Sequence, residues 1–420
     1  MPLSKYSQNK FGAEFSLKGK YKILIIGFTE SIHTARWVKN MAKNDYEIHL
    51  FSSSDSGVNN EVFRDLNIKI YHTFYSKLVG YFVSGKNGIK RLRLALSRPM
   101  MISGFREIIK RIFPNYHKKY LIHVIKKIKP DIIHSMEIQH GAYLVNEVKK
   151  NYKGNFPKWV ATNWGSDIYL FGRLNEHRQK VKDVLQNCDY YSCECNRDVC
   201  LARNYGFKGK VLPVFPNTGG FEIKKISILR NKIKPSKRKI IFLKGYQGWS
   251  GRALVGLRAL ERCADILEGY QIYIYSIQPT SGVDIAAELF TLNTKIPVHI
   301  VPLFTSHQTI LKYQSQARIY LGLGISDAIS TSLLESMAMG SFPIQSNTSC
   351  ANEWVKDGKS GFIVPPEDPE IIEKALRKAL TDDKLVDSAA KINWQIVKNR
   401  LDEKILKKKV IDFYKTVGNK

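Results

Sequence analysis

Short apolar runs alternate with longer amphipathic stretches along most of this chain. Residues 22–27 and 47–51 are apolar runs of strand length, and residues 31–42 between them carry apolar side chains at helical spacing. A strand, a helix and a second strand within about thirty residues predict a right-handed βαβ unit of a parallel sheet. The turn after the first strand lacks a G-x-G-x-x-G fingerprint, so the sequence does not indicate a dinucleotide cofactor.

The alternation fades once and then begins again. Turn-forming and basic residues interrupt it at residues 216–238, which we interpret as a linker. The patterns on both sides of this linker predict an α/β fold with two Rossmann-like αβα domains. The predicted division is a loose arm (1–19), a first domain (20–215), the linker, a second domain (239–395) and a basic helix that packs back on the first domain (396–420).

The composition adds a strong positive charge to this picture. The 420 residues exceed what one hydrophobic core usually supports, which agrees with two domains. Lys and Arg outnumber Asp and Glu by 66 to 37, and a net charge of +29 favours a polyanionic neighbour, either nucleic acid or an anionic membrane. The first ten residues lack the apolar core of a signal peptide, and no stretch has the length of a transmembrane helix. We therefore expect a cytoplasmic protein.

Much of the positive charge lies in residues 77–129. Lys and Arg are interleaved there with Leu, Ile, Met and Phe, and Glu107 is the one acidic residue. A cationic amphipathic stretch of this kind is typical of segments that lie on an anionic membrane, here the inner face of the plasma membrane. The alternative is an ordinary solvated helical face, which is the commoner origin of a charge run.

Residues 324–344 carry the clearest functional pattern. Ser330 or Thr331 can cap a short helix that ends at Gly340, before a buried strand. A helix start presents free N–H groups, which suits a diphosphate. Asp327 and Glu335 flank this start, and two carboxylates around an anion site suit a ligand that also carries hydroxyl groups, as a nucleotide sugar does. The alternative is a capped helix with two solvated acids.

Polar residues also follow the predicted strands of the first domain. His33 lies after the first strand, residues 136–141 after the strand at 130–135, and residues 164–168 after the strand at 159–163. Because open α/β sheets bind ligands at the carboxyl ends of their strands, these loops predict a polar pocket. His33 is either a ligand-facing residue or only a polar residue at the start of a helix.

The cysteines do not predict a metal site. Four of the six lie close together in the sequence, but they lack the paired C-x-x-C spacing of common zinc sites: Cys188, Cys193, Cys195 and Cys200. We interpret them as reduced, partly buried thiols, as expected in a reducing compartment.

The motif around Asp327 resembles that of a known enzyme family. Asp327, seven further residues, Glu335 and then Ala338-Met339-Gly340 are similar to the signature of glycosyltransferase family 4, whose members have the two-domain GT-B fold. Asn217 and residues 164–168 and 357–366 add to the resemblance, which spans most of the chain past residue 20. The first acid of the family motif is normally glutamate, so Asp327 is a departure that shortens the reach toward the transferred sugar.

The resemblance implies roles for individual residues. Lys244 and Arg252 would hold the donor diphosphate, although the family's usual order is Arg then Lys at a shorter spacing. Glu335 would hold the ribose, and Asp327 would face the donor sugar. The remaining roles carried over are backbone N–H groups for the phosphate (Ser332, Leu333), room for the sugar diphosphate (Gly27, Phe28), the catalytic wall of the first domain (Glu137, His140) and the acceptor side (His33, Asp167).

The resemblance also implies the reaction. The protein would move a sugar from a nucleoside-diphosphate sugar to a lipid-linked or polysaccharide acceptor, with retention at the anomeric carbon, in the synthesis of bacterial envelope or capsule glycans. No D-x-D motif is present, and we expect no metal and no further cofactor. One alternative is a nucleotide-sugar epimerase on the same frame. Another is a nucleic-acid-binding protein, which no RNA-recognition, zinc-finger or helix-turn-helix motif supports.

Overall fold

The first domain is built on one parallel sheet. The computed structural model describes residues 21–42, 46–54, 56–73, 111–217 and 219–418. All strand pairs of the sheet are parallel, in the order β3-β2-β1-β4-β5-β6-β7. The strands are β1 (Tyr21–Gly27), β2 (Tyr46–Ser52), β3 (Lys69–Tyr71), β4 (Ile132–Ser135), β5 (Lys158–Thr162), β6 (Tyr190–Ser192) and β7 (Lys210–Val211).

Helices cover both faces of this sheet. Residues 23–26 at the centre of β1 are fully buried, as expected for a parallel strand packed on both sides. The helices are α1 (Ile32–Met41), α2 (Tyr116–Ile128), α3 (Tyr143–Asn151), α4 (Asn175–Asn187) and α5 (Asn196–Asn204). The βαβ unit predicted at the start of the chain is present as β1, α1 and β2.

The second domain repeats the architecture with a sheet in the order β10-β9-β8-β11-β12-β13, again parallel throughout. Its strands are β8 (Ile240–Lys244), β9 (Gln271–Tyr275), β10 (Val298–Ile300), β11 (Ile319–Gly322), β12 (Phe342–Ser346) and β13 (Phe362–Val364). The remaining helices are α6 (Ile223–Leu229), α7 (Ala253–Glu261), α8 (Val283–Thr294), α9 (His307–Gln316), α10 (Thr331–Met339), α11 (Pro369–Thr381), α12 (Asp383–Arg400) and α13 (Glu403–Gly418). The prediction of two Rossmann-like domains is confirmed.

The strand orders fix where a ligand can bind. In the first sheet the chain order reverses between β1 and β4, and in the second between β8 and β11. At such a switch point the connections leave in opposite directions, which opens a crevice outside the carboxyl ends of the strands. The two crevices are the places where the fold itself offers a binding site.

The last helix, α13, lies against the first domain. The Tyr414 hydroxyl accepts the indole N–H of Trp37 at 2.9 Å and lies 2.6 Å from His134 Nδ1. Complete burial lowers the pKa of His134 to about 3, so its ring is neutral and Nδ1 can accept the Tyr414 proton. The sequence predicts this terminal helix from residue 396, but α12 continues to Arg400 and α13 begins at Glu403.

Two predicted segments lie largely outside the described residues. The arm at 1–19 is one, and residues 77–110 of the basic stretch are the other. Within the described part of that stretch, Ile112 and Phe113 are more than half exposed beside the lysines of α2. Among the helices that the structure describes, none combines the length and apolar character that crossing a membrane requires.

Candidate active site

A cavity of about 660 Å³ lies between the two domains. Its lining residues come from the carboxyl ends of strands in both sheets, where the switch points place a crevice. The second domain contributes Lys244 at the end of β8, Ser276 just after β9, His307 at the start of α9, Asp327 before α10 and Glu335 within α10.

The N-terminus of α10 faces this cavity. Ser330 occupies the N-cap position, as the sequence predicts, but its side chain forms no capping hydrogen bond with the helix. Ser332 lines the cavity, whereas the Leu333 side chain is fully buried in the core. The first-turn amides and the positive end of the helix dipole therefore remain available for an anion. The predicted helix end is confirmed, since Gly340 adopts φ 84° there.

Glu335 is held in the cavity by a partner that the sequence analysis missed. Its Oε1 lies 2.6 Å from Nε2 of His307, and Glu335 is 5% exposed. Oε1 is therefore fixed by the protein, whereas Oε2 has no hydrogen-bond partner among the described residues and can serve a ligand. His307 begins a helix that follows β10. The rule that open α/β sheets bind ligands at the carboxyl ends of their strands could therefore have identified it.

Lys244 and Arg252, the two predicted diphosphate ligands, are in different places. Burial opposes the charge of Lys244, but Tyr320, Tyr246, Asp327 and Glu335 together outweigh it and raise the Lys244 pKa. Its ammonium therefore stays charged in the cavity. The Arg252 guanidinium instead pairs with Glu367 at 2.7 Å and donates to the carbonyl of Gly251 at 2.9 Å. The structure does not bring Arg252 to the cavity.

Asp327 lies where the domains touch. Burial is the main cause that raises its pKa, and Lys244 acts in the opposite direction. The backbone carbonyl of Asp327 accepts a hydrogen bond of 2.8 Å from Arg197 of the first domain, which also donates to the carbonyl of Thr348 at 2.8 Å. Arg197 thus fastens the loop that presents Asp327, and the sequence analysis did not identify it.

The first domain forms the opposite wall of the cavity, with His33 as the predicted residue that lines it. Burial, Arg36 and Lys244 lower the His33 pKa to about 4 against the opposing effect of Glu335, so the ring is neutral at pH 7. Ser31 caps α1 by accepting the His33 amide at 3.1 Å. His33 is therefore both a helix-start residue and a ligand-facing one.

The other residues given individual roles on this wall lie outside the cavity. Glu137 is 2% exposed, and its carboxylate accepts the backbone amides of His140, at 2.8 Å, and Gly141. The acid caps the turn after β4 instead of facing a ligand. His140 is exposed on the surface, where its ring packs edge-on against Phe28 at 5.0 Å.

Asp167 and Gly27 also have structural roles. Asp167 Oδ2 accepts the amides of Trp164 at 2.8 Å and Ile138 at 3.0 Å, which ties together the loops after β4 and β5. Burial first, and then Glu137, raise its pKa to about 8. At Gly27 an added Cβ would lie 3.1 Å from the Met136 Cβ, so this glycine allows close passage of the next loop.

The wall is completed by residues to which the sequence analysis gave no individual role, although Trp164 and Gly165 lie in the segment 164–168 that it predicted to form a polar pocket. Arg36, Trp164, Gly165, Glu194 and Asn217 line the cavity together with His33. Trp164, Gly165 and Asn217 belong to segments that carry the family resemblance, but Arg36 and Glu194 do not. Glu194 follows β6 and Asn217 follows β7, so their positions at strand ends were a usable signal.

The cysteines agree with the prediction of reduced thiols, because all six are free and only Cys200 is exposed. Among the described residues, one group of three side chains has the proximity for a metal ion: Cys195, Cys350 and Glu353. This group lies at the domain interface and does not line the cavity.

Models of known protein families match both halves of the chain. The model of the family described as "Glycosyl transferase 4-like" matches residues 22–97 and 104–193. The model described as "Glycosyl transferases group 1" matches residues 287–393, which include Asp327 and Glu335. A search of curated proteins finds no match.

Solved structures of the same fold cover nearly the whole chain. A sucrose-phosphate synthase from Thermosynechococcus elongatus has a TM-score of 0.68 at 13% identity, covering 94% of this chain and 99% of its own. A glycosyltransferase from Rickettsia africae has a TM-score of 0.63 at 16% identity, covering 95% and 99%. Anabaena HepE in complex with UDP-glucose has a TM-score of 0.63 at 10% identity, covering 94% and 99%. With its two facing αβα domains and the two family matches, the chain belongs to the group 1 glycosyltransferases of the GT-B type.

Proposed function

We propose that this glycosyltransferase transfers a sugar from a nucleoside-diphosphate sugar to a lipid-linked or polysaccharide acceptor in bacterial envelope or capsule synthesis. The observation that carries the donor assignment is the convergence of the α10 N-terminus, Lys244 and Glu335 on one cavity between the domains. The similar Anabaena structure holds UDP-glucose, which supports a donor of this class. The family assignment favours a transferase over the epimerase and nucleic-acid alternatives.

The charges of the cavity suit the departure of a nucleoside diphosphate. As the bond from the anomeric carbon to the phosphate oxygen breaks, negative charge grows on the leaving diphosphate. The Lys244 ammonium and the first-turn amides of α10 stabilise that charge from fixed positions. The free oxygen of Glu335 accepts hydrogen bonds from the ribose hydroxyls. Asp327, on the first-domain side of Lys244, contacts the sugar.

Retention and metal independence belong to the same proposal, and the family resemblance supports both. In the retaining route the acceptor oxygen bonds to the anomeric carbon on the face that the diphosphate leaves. The acceptor proton passes to the leaving phosphate. The cations of the cavity take the place that a divalent metal has in other sugar transferases. Transfer should therefore persist in EDTA, and a loss of turnover that Mg²⁺ or Mn²⁺ restores would contradict this part.

A position on the inner face of the plasma membrane completes the proposal. The net charge of +29 and the exposed Ile112 and Phe113 beside the α2 lysines support it. Flotation with vesicles of phosphatidylglycerol should carry the protein upward at low salt, and pure phosphatidylcholine should not. Flotation that is equal on both vesicles, or absent on both, would contradict the membrane role.

The donor assignment is tested by thermal unfolding with UDP, GDP and their common sugars, followed by product analysis with lipid and glycan acceptors. We expect one nucleotide series to raise the melting temperature and one sugar of that series to be transferred with retained anomeric configuration. Absence of stabilisation by every nucleotide, together with absence of transfer, would contradict the proposal. Interconversion of nucleotide sugars without an acceptor would support the epimerase alternative instead.

A further inference from the structure

The first-domain wall of the cavity carries hydrogen-bonding groups that the protein does not use. Asn217 is 2% exposed, yet within the described residues neither its side-chain oxygen nor its nitrogen has a hydrogen-bond partner. Among the residues that the structure describes, the indole Nε1 of Trp164 is likewise buried without a hydrogen-bond partner. Both side chains line the cavity. Because an unsatisfied buried polar group costs free energy, such groups beside a cavity indicate a ligand that satisfies them.

Glu194 extends this set. It is 8% exposed and lines the cavity, its Oε1 accepts the backbone amide of Asn217 at 2.6 Å, and among the described residues its Oε2 has no hydrogen-bond partner. Burial raises its pKa to about 8; the Asn217 amide opposes the rise, and Asp327 and Asp198 add to it. At neutral pH the carboxyl group is therefore mostly protonated, and a protonated carboxyl both donates and accepts hydrogen bonds.

The combined chemistry is that of hydroxyl recognition. Trp164 offers a donor, while the Asn217 amide and the protonated Glu194 each offer a donor and an acceptor. A sugar hydroxyl likewise donates and accepts, so several hydroxyls on one ring can satisfy this wall. Arg36 lines the same wall, but none of Trp164, Glu194 and Asn217 is a cation, and an anionic group placed against these three would face the nearby Asp327.

The wall formed by Trp164, Glu194 and Asn217 lies where the proposed donor would place its sugar. A Cβ added at Gly165, the residue after Trp164, would lie 2.8 Å from Asp327 Oδ1. The wall therefore adjoins Asp327, and Lys244 and the α10 N-terminus lie on the second-domain side of the same cavity.

We propose that Trp164, Glu194 and Asn217 form a subsite for an uncharged saccharide ring. This inference rests on the proposed function and adds the class of group that the first domain recognises. The ring is either the transferred sugar of the donor or a sugar unit of the acceptor. The two sources differ in what a substitution changes, so one set of measurements separates them.

The test uses Trp164→Phe, which keeps an aromatic ring and loses the N–H donor, and Asn217→Ala. The matched control is Trp354→Phe, because the Trp354 Nε1 is also buried without a partner in the described residues but lies away from the cavity, under the Arg400 guanidinium at 3.6 Å. Calorimetry gives the Kd of the free nucleoside diphosphate and of the nucleotide sugar that the wild type uses. Steady-state kinetics gives the KM of the acceptor.

We expect both cavity variants to bind the free nucleoside diphosphate within about twofold of the wild type. If the subsite holds the donor sugar, the nucleotide sugar binds about tenfold more weakly. If it holds the acceptor, the acceptor KM rises about tenfold and donor binding is unchanged. Either result supports the subsite, and the control should match the wild type throughout.

The inference is overturned if the wild type turns over its substrates and both cavity variants match it in donor Kd and acceptor KM. It is also overturned if the variants weaken the free nucleoside diphosphate as much as the nucleotide sugar. Should Asn217→Ala fail to fold, the more conservative Trp164→Phe decides. A wild type that binds no nucleotide sugar contradicts the proposed function itself, and the subsite with it.

Discussion

The two walls of the cavity differ in how the sequence encodes them. Most residues predicted on the second-domain wall line the cavity, namely Lys244, Asp327, Ser332 and Glu335, whereas Arg252 pairs with Glu367 instead and His307 was not predicted. Of the residues given individual roles on the first-domain wall, His33 alone lines the cavity among those that the structure describes, and Trp164 and Gly165 of the predicted pocket segment 164–168 line it as well. A site built from one loop and one helix is visible in a short motif. A wall assembled from single residues after several strands is not.

The largest expected effect separates the two predicted cations. Lys244→Met should weaken nucleoside-diphosphate binding about 30-fold, because a charged hydrogen-bond partner in a buried site contributes about 2 kcal/mol. Arg252→Met should weaken it less than about threefold, since that guanidinium is occupied by Glu367. Calorimetric titration of both variants gives the ratio. Equal losses would mean that Arg252 moves into the site when the ligand binds.

The second prediction concerns the ribose. Glu335→Gln should weaken binding of UDP or GDP about tenfold, because it replaces a charged acceptor with a neutral amide. Wild type should also discriminate against the 2′-deoxy nucleotide, and the variant should lose that discrimination. Discrimination that stays intact in Glu335→Gln would show that the carboxylate contacts another part of the ligand.

The third prediction compares the two histidines to which the sequence analysis gave roles on the first-domain wall, His33 and His140. His33→Ala should lower kcat/KM about fivefold, since the ring lines the cavity beside Arg36 and Lys244. His140→Ala should lower it less than about twofold, because that ring lies on the surface against Phe28. Steady-state kinetics with varied acceptor at saturating donor gives kcat/KM for the acceptor in both variants and shows which histidine contributes more. The reverse order would restore His140 to the catalytic role that the sequence suggests.

The smallest effect is a pH dependence of stability. Asp167 and Glu194 both have pKa values raised to about 8, so the folded state retains protons that the unfolded chain releases above about pH 4. The stabilisation by these protons is complete below pH 4 and is lost as the pH rises toward 8. Between pH 7 and 8 the free energy of unfolding should fall, and more steeply in wild type than in Asp167→Asn. Equal slopes in chemical denaturation would contradict the raised pKa values.

Features that depend on residues close together in the sequence could be predicted, whereas contacts between residues far apart in the sequence could not. The alternation of apolar runs predicts both sheets, because each buried parallel strand such as β1 is apolar by itself. The helix at Thr331–Met339 is likewise predicted from its own cap and its terminal Gly340. Glu137 and Asp167 are acids of the kind that serve in catalysis, but both accept backbone amides within their own loops. Asp167 also accepts the amide of Ile138 from the neighbouring loop, a contact that depends on tertiary placement.

The same limit explains the residues that were missed. His307 lies 28 residues before its partner Glu335, and Glu194 meets Asn217 across 23 residues. Each lies after the carboxyl end of a strand: His307 after β10, Glu194 after β6 and Asn217 after β7. The position of each at the sheet edge was therefore predictable, but its contact was not.

The most direct test of the donor site is amide hydrogen exchange with and without the nucleoside diphosphate that binds. We expect slower exchange at residues 331–335, at the start of α10, and at residues 244–246. Residues 138–141, around His140, should exchange at the same rate in both states. Binding that leaves the first turn of α10 unprotected, or that protects residues 138–141 in its place, would contradict the assignment of the diphosphate to this helix.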